Sequence, residues 1–214
     1  MLCCLNSMSN LSENTRVILD SVKDYPKATV ICASKYLTAP MMDEIYHAGI
    51  RHFGENHAQA LLDKQNKLTL SDICWHFIGH LQTNKVKQII NQIEYLHSLD
   101  RIKLAEAIQT YRILPLNCFI EVNLGEEDTK TGIHPSDLTN FIQALKKYDK
   151  INVVGLMAMG ILDDVSKTQT IFKTLVSLKE THQLKYVSMG MTDDYLMALS
   201  LGSDFVRVGR KFIL

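Results

Sequence analysis

Three groups of residues in this sequence carry chemistry by type and position. Lys35 closes the apolar run Thr29 to Lys35, and strand alternation puts Ile31, Ala33 and Lys35 on one face. A lysine at that place is costly to bury in its charged form, so burial favours the neutral amine that attacks aldehydes. Arg207 lies in Phe205-Val206-Arg207-Val208-Gly209-Arg210 and shares the parity of Phe205 and Gly209. A buried guanidinium either pairs with an internal acid or waits for an anionic ligand, and beside Lys35 it would further favour the neutral amine. The third group is Ser188-Met189-Gly190-Met191-Thr192-Asp193-Asp194. Gly190 lets backbone come close to a ligand, and the Ser188 hydroxyl, the exposed N–H groups and the neighbouring Gly209-Arg210 loop supply donors for an oxyanion.

These groups come from opposite ends of the chain, so the fold must bring their strand ends to one place. Apolar β-type runs cover Thr29 to Lys35, Arg51 to Asn56, Trp75 to Leu81, Tyr95 to Asp100, Leu116 to Leu124, Val153 to Gly160, Tyr186 to Met191 and Phe205 to Gly209. Helical patterns alternate with them at Pro40 to His47, His57 to Lys67, Asn84 to Asn91, Arg101 to Tyr111, Pro135 to Tyr148, Asp164 to His182 and Thr192 to Leu199. Strands buried on both faces and separated by helices are parallel strands of an α/β fold. Eight of them predict a closed (β/α)8 TIM barrel occupying residues 1–214 as one domain. The eighth helix is missing from the C-terminal end. Leu11 to Val22, with Leu11, Val17, Ile18, Leu19 and Val22 as a rough stripe, is predicted to complete the outer ring from the N-terminal side.

Such barrels carry reactive groups at the C-terminal strand ends and hold phosphate after strands seven and eight. An amine on strand one, an arginine on strand eight and a cup at Ser188, Gly190, Gly209 and Arg210 then describe a site for a phosphorylated aldehyde. Pyridoxal 5′-phosphate meets all three requirements, with Lys35 forming the Schiff base, the cup taking the phosphate and Arg207 facing the pyridine nitrogen. A guanidinium there leaves that nitrogen unprotonated and weakens the ring as an electron sink. A Schiff-base aldolase acting on a sugar phosphate fits the same residues.

Composition excludes other classes. The 214 residues hold 23 basic and 23 acidic side chains, so no basic surplus serves a nucleic acid, and no acidic tail exists. Hydrophobic residues at 46% and charged ones at 21% suit a packed core. The longest apolar run, Val153 to Leu162, is half a membrane span, and the N-terminus lacks the basic flank of a signal peptide. The five cysteines, Cys3, Cys4, Cys32, Cys74 and Cys118, show no CxxC and no metal-like pairing with histidine, so they are expected to be reduced thiols without a metal. A cytoplasmic monomer, in contact with neither nucleic acid nor membrane, is the expectation.

At these residues the sequence resembles the YggS/PROSC family of pyridoxal phosphate homeostasis proteins, whose barrel is similar to the N-terminal barrel of alanine racemase. The resemblance rests on Ala33-Ser34-Lys35, Phe53-Gly54-Glu55-Asn56 with Gln59, His76-Phe77-Ile78-Gly79 before Leu81-Gln82-Thr83-Asn84-Lys85, Asp100-Arg101, Val122-Asn123, Lys130-Thr131-Gly132-Ile133, Gly155-Leu156-Met157, the Ser188 to Asp194 segment and Val206-Arg207-Val208-Gly209. It implies a cofactor carrier with Lys35 as the Schiff-base lysine, Ser188 and Gly209 as phosphate contacts, Arg207 toward the ring nitrogen and Asn56 near the cofactor. Arg210 stands where the family usually has threonine.

A racemase or other enzyme on this barrel is the alternative. It needs a second acid or base opposite the lysine, supplied in related racemases by an added β-domain for which this length leaves no room. His76, His80 and Tyr95 are the candidates inside the barrel, each expected to be a packing or rim residue. A binding protein that passes pyridoxal phosphate to apo-enzymes, with transient contacts, is therefore the expected function. Lys130, in the loop after strand five, is a candidate second amine for that transfer. The acids Asp193 and Asp194 are expected to cap the helix after strand seven.

Overall fold

The computed structural model describes residues 2–125 and 131–214, with side chains from residue 10 onward. Eight parallel strands form a closed barrel in sequence order: β1 (Thr29–Ala33), β2 (His52–Glu55), β3 (Cys74–Phe77), β4 (Tyr95–Leu99), β5 (Leu116–Glu121), β6 (Ile151–Met157), β7 (Tyr186–Met191) and β8 (Phe205–Val208). Every predicted strand is present. Closure is made by β8 against β1, pairing Thr29 with Phe205 and Ile31 with Arg207. Strand alternation then sorts the side chains. Ile31, Phe119, Met157 and Phe205 fill the barrel interior with Tyr95, Val154 and Tyr186 against them. The opposite faces, among them Cys32, Phe53 and Cys118, are buried under the helices. Because Phe205 points inward, so does Arg207, two residues on.

The helices follow the sequence pattern with informative differences. α1 (Leu2–Ser21) packs against the helix that follows β1 and against the C-terminal 3-10 turn Arg210–Phe212. Ser12 donates to Glu44 of α2 (Ala39–His47) through N–H and Oγ at 3.1 and 3.0 Å. The Asn14 amide donates to the carbonyls of Phe212 and Leu214 at 3.0 and 2.9 Å, tying the C-terminal segment to α1. Its buried stripe is Leu11, Ile18 and Val22, whereas Val17 is 53% exposed. α2 begins as predicted, with Thr38 accepting from the Met41 N–H and Pro40 in the first turn.

α3 (Ala58–Lys67), α5 (Ile102–Tyr111), α6 (Leu138–Leu145) and α7 (Val165–Thr181) cover the barrel next. The helix expected at Asn84 to Asn91 is only α4 (Val86–Ile89), flanked by 3-10 turns at Thr83–Lys85 and Ile90–Gln92. α8 (Tyr195–Ser200) starts three residues later than expected. Asp194 occupies its N-cap, but the carboxylate turns back to accept the Met191 N–H and does not cap the helix. Among the described residues no helix is long and apolar enough to cross a membrane.

Candidate functional site

The C-terminal mouth of the barrel is built from two halves. On the β1 side, the chain leaves the strand at Ala33 and turns, so Lys35 is exposed, with Nζ 4.7 Å from the Tyr36 ring centroid. The burial expected from an apolar run is absent because the strand stops two residues earlier. Among the described residues, Lys35 Nζ has no hydrogen bond or ion pair.

What holds this turn lies beneath it. Ser34 is fully buried, donating from its N–H to Gly54 O at 2.9 Å and from Oγ to Glu55 Oε1 at 2.8 Å. Glu55 is itself fully buried and is met by Lys64, which pairs with Oε1 and donates to Ser34 O. The other carboxylate oxygen accepts the Asn56 N–H at 3.1 Å. One buried ion pair therefore fixes the roots of both Lys35 and the half-buried Asn56. Gly79, after β3, comes so near that a Cβ there would lie 2.5 Å from Asn56 O, and only glycine permits that approach.

The second half comes from β7 and β8. Arg207 is buried and donates from Nη1 to Ser188 O at 3.1 Å and Ser188 Oγ at 2.7 Å, and from Nη2 to Ala158 O at 3.2 Å. Ser188, also fully buried, has its hydroxyl 2.9 Å from His97 Nδ1. Its side chain thus faces the interior and Arg207. Thr192 stands at the mouth instead, its Oγ1 accepting the Gly209 N–H at 3.1 Å.

Gly190 has φ +91°, and a Cβ on it would lie 2.5 Å from Ala198 Cβ, so its bare face is what seats α8 on β7. A Cβ on Gly209 would meet Ala33 Cβ at 3.4 Å, which places the end of β8 against the strand that leads to Lys35. The Arg210 guanidinium is exposed and pairs with Asp193 at 2.6 Å.

Burial pushes Arg207 down to about 10, opposed by the nearby carboxylates of Asp194 and Glu121. The same burial raises both carboxyls, while Arg207 draws them back. Glu121 accepts from Thr131 Oγ1 at 2.8 Å and Asp194 from a backbone N–H, so neither makes a contact ion pair with Arg207 among the described residues. Internal acids thus balance the charge of Arg207 from a distance. A cavity of about 490 Å³ opens over the loops after β5, β6 and β7, bounded in part by Glu121, Asn123, Thr131 and Asp194.

Two of the candidate acid/base residues lie together and the third apart from them. His76 and Tyr95 lie inside the barrel with their rings stacked at 4.7 Å, and burial holds His76 well below the ordinary imidazole range. His80 is on the rim, 3.3 Å from Asp100. Lys130 lies outside the described residues. Thr192, Glu121 and His97 were missed by the sequence reading. Thr192 is one alternation step beyond Gly190 and could have been found by extending the strand parity into the turn. Cys74 and His76, two apart on β3, meet His52 of β2 with their ligand atoms within 4.8 Å of one another. Adjacent strands bring these residues together, and no local spacing announces it.

Comparison with known proteins agrees with this architecture. Residues 7–211 match the family model described as alanine racemase, N-terminal domain. A pyridoxal phosphate homeostasis protein of Aquifex aeolicus is 35% identical over 192 residues, spanning 85% of this chain and 84% of that protein. One from Pseudomonas aeruginosa is 32% identical and spans 94% of both. The structure of PipY from Synechococcus elongatus without PLP superposes with TM-score 0.84 at 30% identity, covering 95% of this chain and all of PipY. A second PipY structure, with PLP bound, gives 0.82 at 29% identity over the same shares. Alanine racemase from Corynebacterium glutamicum shares the fold at TM-score 0.77 and 16% identity, this chain covering 60% of it. By sequence over most of its length and by fold, the chain belongs to the pyridoxal phosphate homeostasis protein family, on the alanine racemase N-terminal barrel.

Proposed function

We propose that this chain binds pyridoxal 5′-phosphate at the C-terminal mouth of its barrel and carries it in the cytoplasm, as a monomer, for delivery to apo-enzymes, without turning over a substrate. One observation carries the reading: Lys35 Nζ, with no hydrogen bond or ion pair among the described residues, stands just beyond the strand end against which Gly209 packs. When bound there, the cofactor supplies an aldehyde that a primary amine takes up covalently and a pyridine ring that withdraws electrons.

Lys35 is the amine, and the Glu55–Lys64 pair holds its turn in place. Thr192 Oγ1 and the backbone of Gly190, Gly209 and Arg210 form the phosphate cup. Ser188 works behind it, using its hydroxyl and carbonyl to aim the guanidinium. Among the described residues Arg207 donates three hydrogen bonds to protein, two fewer than its five N–H groups allow, which leaves donors for the ring nitrogen. With its pKa near 10, Arg207 keeps its proton at neutral pH and gives none to the ring. Asn56 lines the rim from β2. Of the three candidates for a second acid or base, two are inside the barrel and one is held by Asp100, which supports carriage over catalysis.

The test is the visible spectrum of the purified protein before and after borohydride, followed by peptide mapping. A Schiff-base band that borohydride fixes to Lys35 is expected, and its persistence in Lys35→Ala would overturn the assignment.

A further inference from the structure

We propose that the N-terminal end of the barrel, opposite the Lys35 mouth, holds a second site in which His52 Nδ1, Cys74 Sγ and His76 Nε2 bind a borderline-soft divalent cation of the zinc type. The three residues sit at the starts of β2 and β3, where the strand register sets His52 beside Cys74 and Gly54 beside His76.

The geometry is close to that of a bound ion. Zn–S of about 2.3 Å and Zn–N of about 2.05 Å at a tetrahedral angle require S···N near 3.6 Å and N···N near 3.3 Å. Cys74 Sγ lies 3.5 Å from His76 Nε2, and His52 Nδ1 lies 2.9 Å from it. The sulfur is at ligand spacing from His76 and within 4.8 Å of the His52 nitrogen, and the two nitrogens need to part by about 0.4 Å. One thiolate and two imidazoles select zinc and its late first-row neighbours over magnesium or calcium, and three protein ligands leave the fourth position to water. His52 and Cys74 are half-buried, which gives an ion a way in, while His76 is fully buried.

The surroundings supply what a ligating histidine needs. The Tyr95 ring is stacked on His76 with 7° between the planes and fixes its orientation. His76 Nδ1 is 2.9 Å from His97 Nε2. A cation on Nε2 makes Nδ1 the donor of that bond, and His97 then donates from its own Nδ1 to Ser188 Oγ at 2.9 Å, so the outer partners keep their hydrogen bonds. Burial, then the Glu94 charge, pushes the Cys74 thiol up to about 12, so binding breaks an S–H bond, the sulfur electron pair goes to the cation, and the proton leaves to solvent.

Cobalt(II) titration of the purified, cofactor-loaded protein after chelator treatment tests the site. A thiolate-to-cobalt charge-transfer band saturating at one equivalent, and bleached by added zinc(II), is expected. Cys74→Ser should abolish the band. His52→Ala should weaken binding by more than the roughly 10- to 100-fold that loss of an outer partner costs. Both variants should keep the borohydride-fixed product at Lys35, since that site is at the other end of the barrel. A wild-type protein without the band, or a band unchanged in Cys74→Ser, overturns the proposal. If circular dichroism shows Cys74→Ser to be unfolded, unchanged cobalt affinity in His52→Ala overturns it equally.

Discussion

Replacing Lys64 by alanine leaves the Glu55 carboxylate stranded inside the protein. The Lys64 side chain is 12% exposed and that of Glu55 fully buried, so water cannot take the place of the lost ammonium. Glu55 keeps its hydrogen bonds from Ser34 Oγ and the Asn56 N–H, but both are already made in the wild type and compensate nothing new. Removing one partner of such a pair costs roughly 3–5 kcal/mol. For a chain of this size about 2–4 °C of melting temperature accompanies each kcal/mol, giving a drop on the order of 10 °C. Urea unfolding at neutral pH, with an unchanged dependence on denaturant, and a thermal melt read the loss directly. The double variant Glu55→Gln, Lys64→Met removes both charges and keeps similar volumes, so it should recover most of the stability. A loss below about 1 kcal/mol in Lys64→Ala, or a double variant no better than the single, would refute this account of the ion pair.

Three further outcomes follow from the same structure. Ser188→Ala takes an acceptor from Arg207 and the partner from His97 Nδ1, and should cost about 1–3 kcal/mol in urea unfolding, together with weaker retention of pyridoxal phosphate. Asp204 has its carboxyl raised, chiefly by burial, while accepting the Val187 N–H. A raised acid contributes stability below its ordinary range and loses it as pH rises through the folded value. Asp204→Asn should therefore be at least as stable as wild type at neutral pH, with its advantage vanishing in melts taken below about pH 4. Arg210→Ala breaks an exposed pair with Asp193 and should change stability by less than about 1 kcal/mol, with the Lys35 adduct, measured by borohydride trapping, unaffected.

The parts of the molecule readable from sequence are those governed by local periodicity. Alternation in Phe205 to Gly209 told which way Arg207 points, because the interior packing of Phe205 obeys the same two-residue rule. Strand count gave the closed barrel for the same reason. Features governed by chain ends or by tertiary neighbours were not readable. Burial of Lys35 was expected from the apolar run before it, but β1 stops at Ala33, where the bonds of Ser34 to Gly54 and Glu55 turn the chain outward. From the sequence Ser188 reads as a phosphate-binding hydroxyl at the end of strand seven, and only the approach of His97 from β4 and Arg207 from β8 makes it an interior strut. The start of α8 was misplaced because the side chain of Asp194 bonds backward.

The pairing of β8 with β1 has a kinetic side. The other seven strand pairings join neighbours in sequence, whereas Thr29 meets Phe205, and Asn14 meets Phe212, only when the two distant parts of the chain find each other. Contacts of such long sequence separation form slowly, so this seam is expected to be the last to close in folding and an early one to open. Lys35 hangs from one edge of the seam and Arg207 and Gly209 from the other. A ligand bridging those edges binds only the closed state and shifts the balance toward it by mass action. The loaded and empty proteins should then differ most in how often the barrel opens along this one line, which hydrogen exchange in β1 and β8 would resolve.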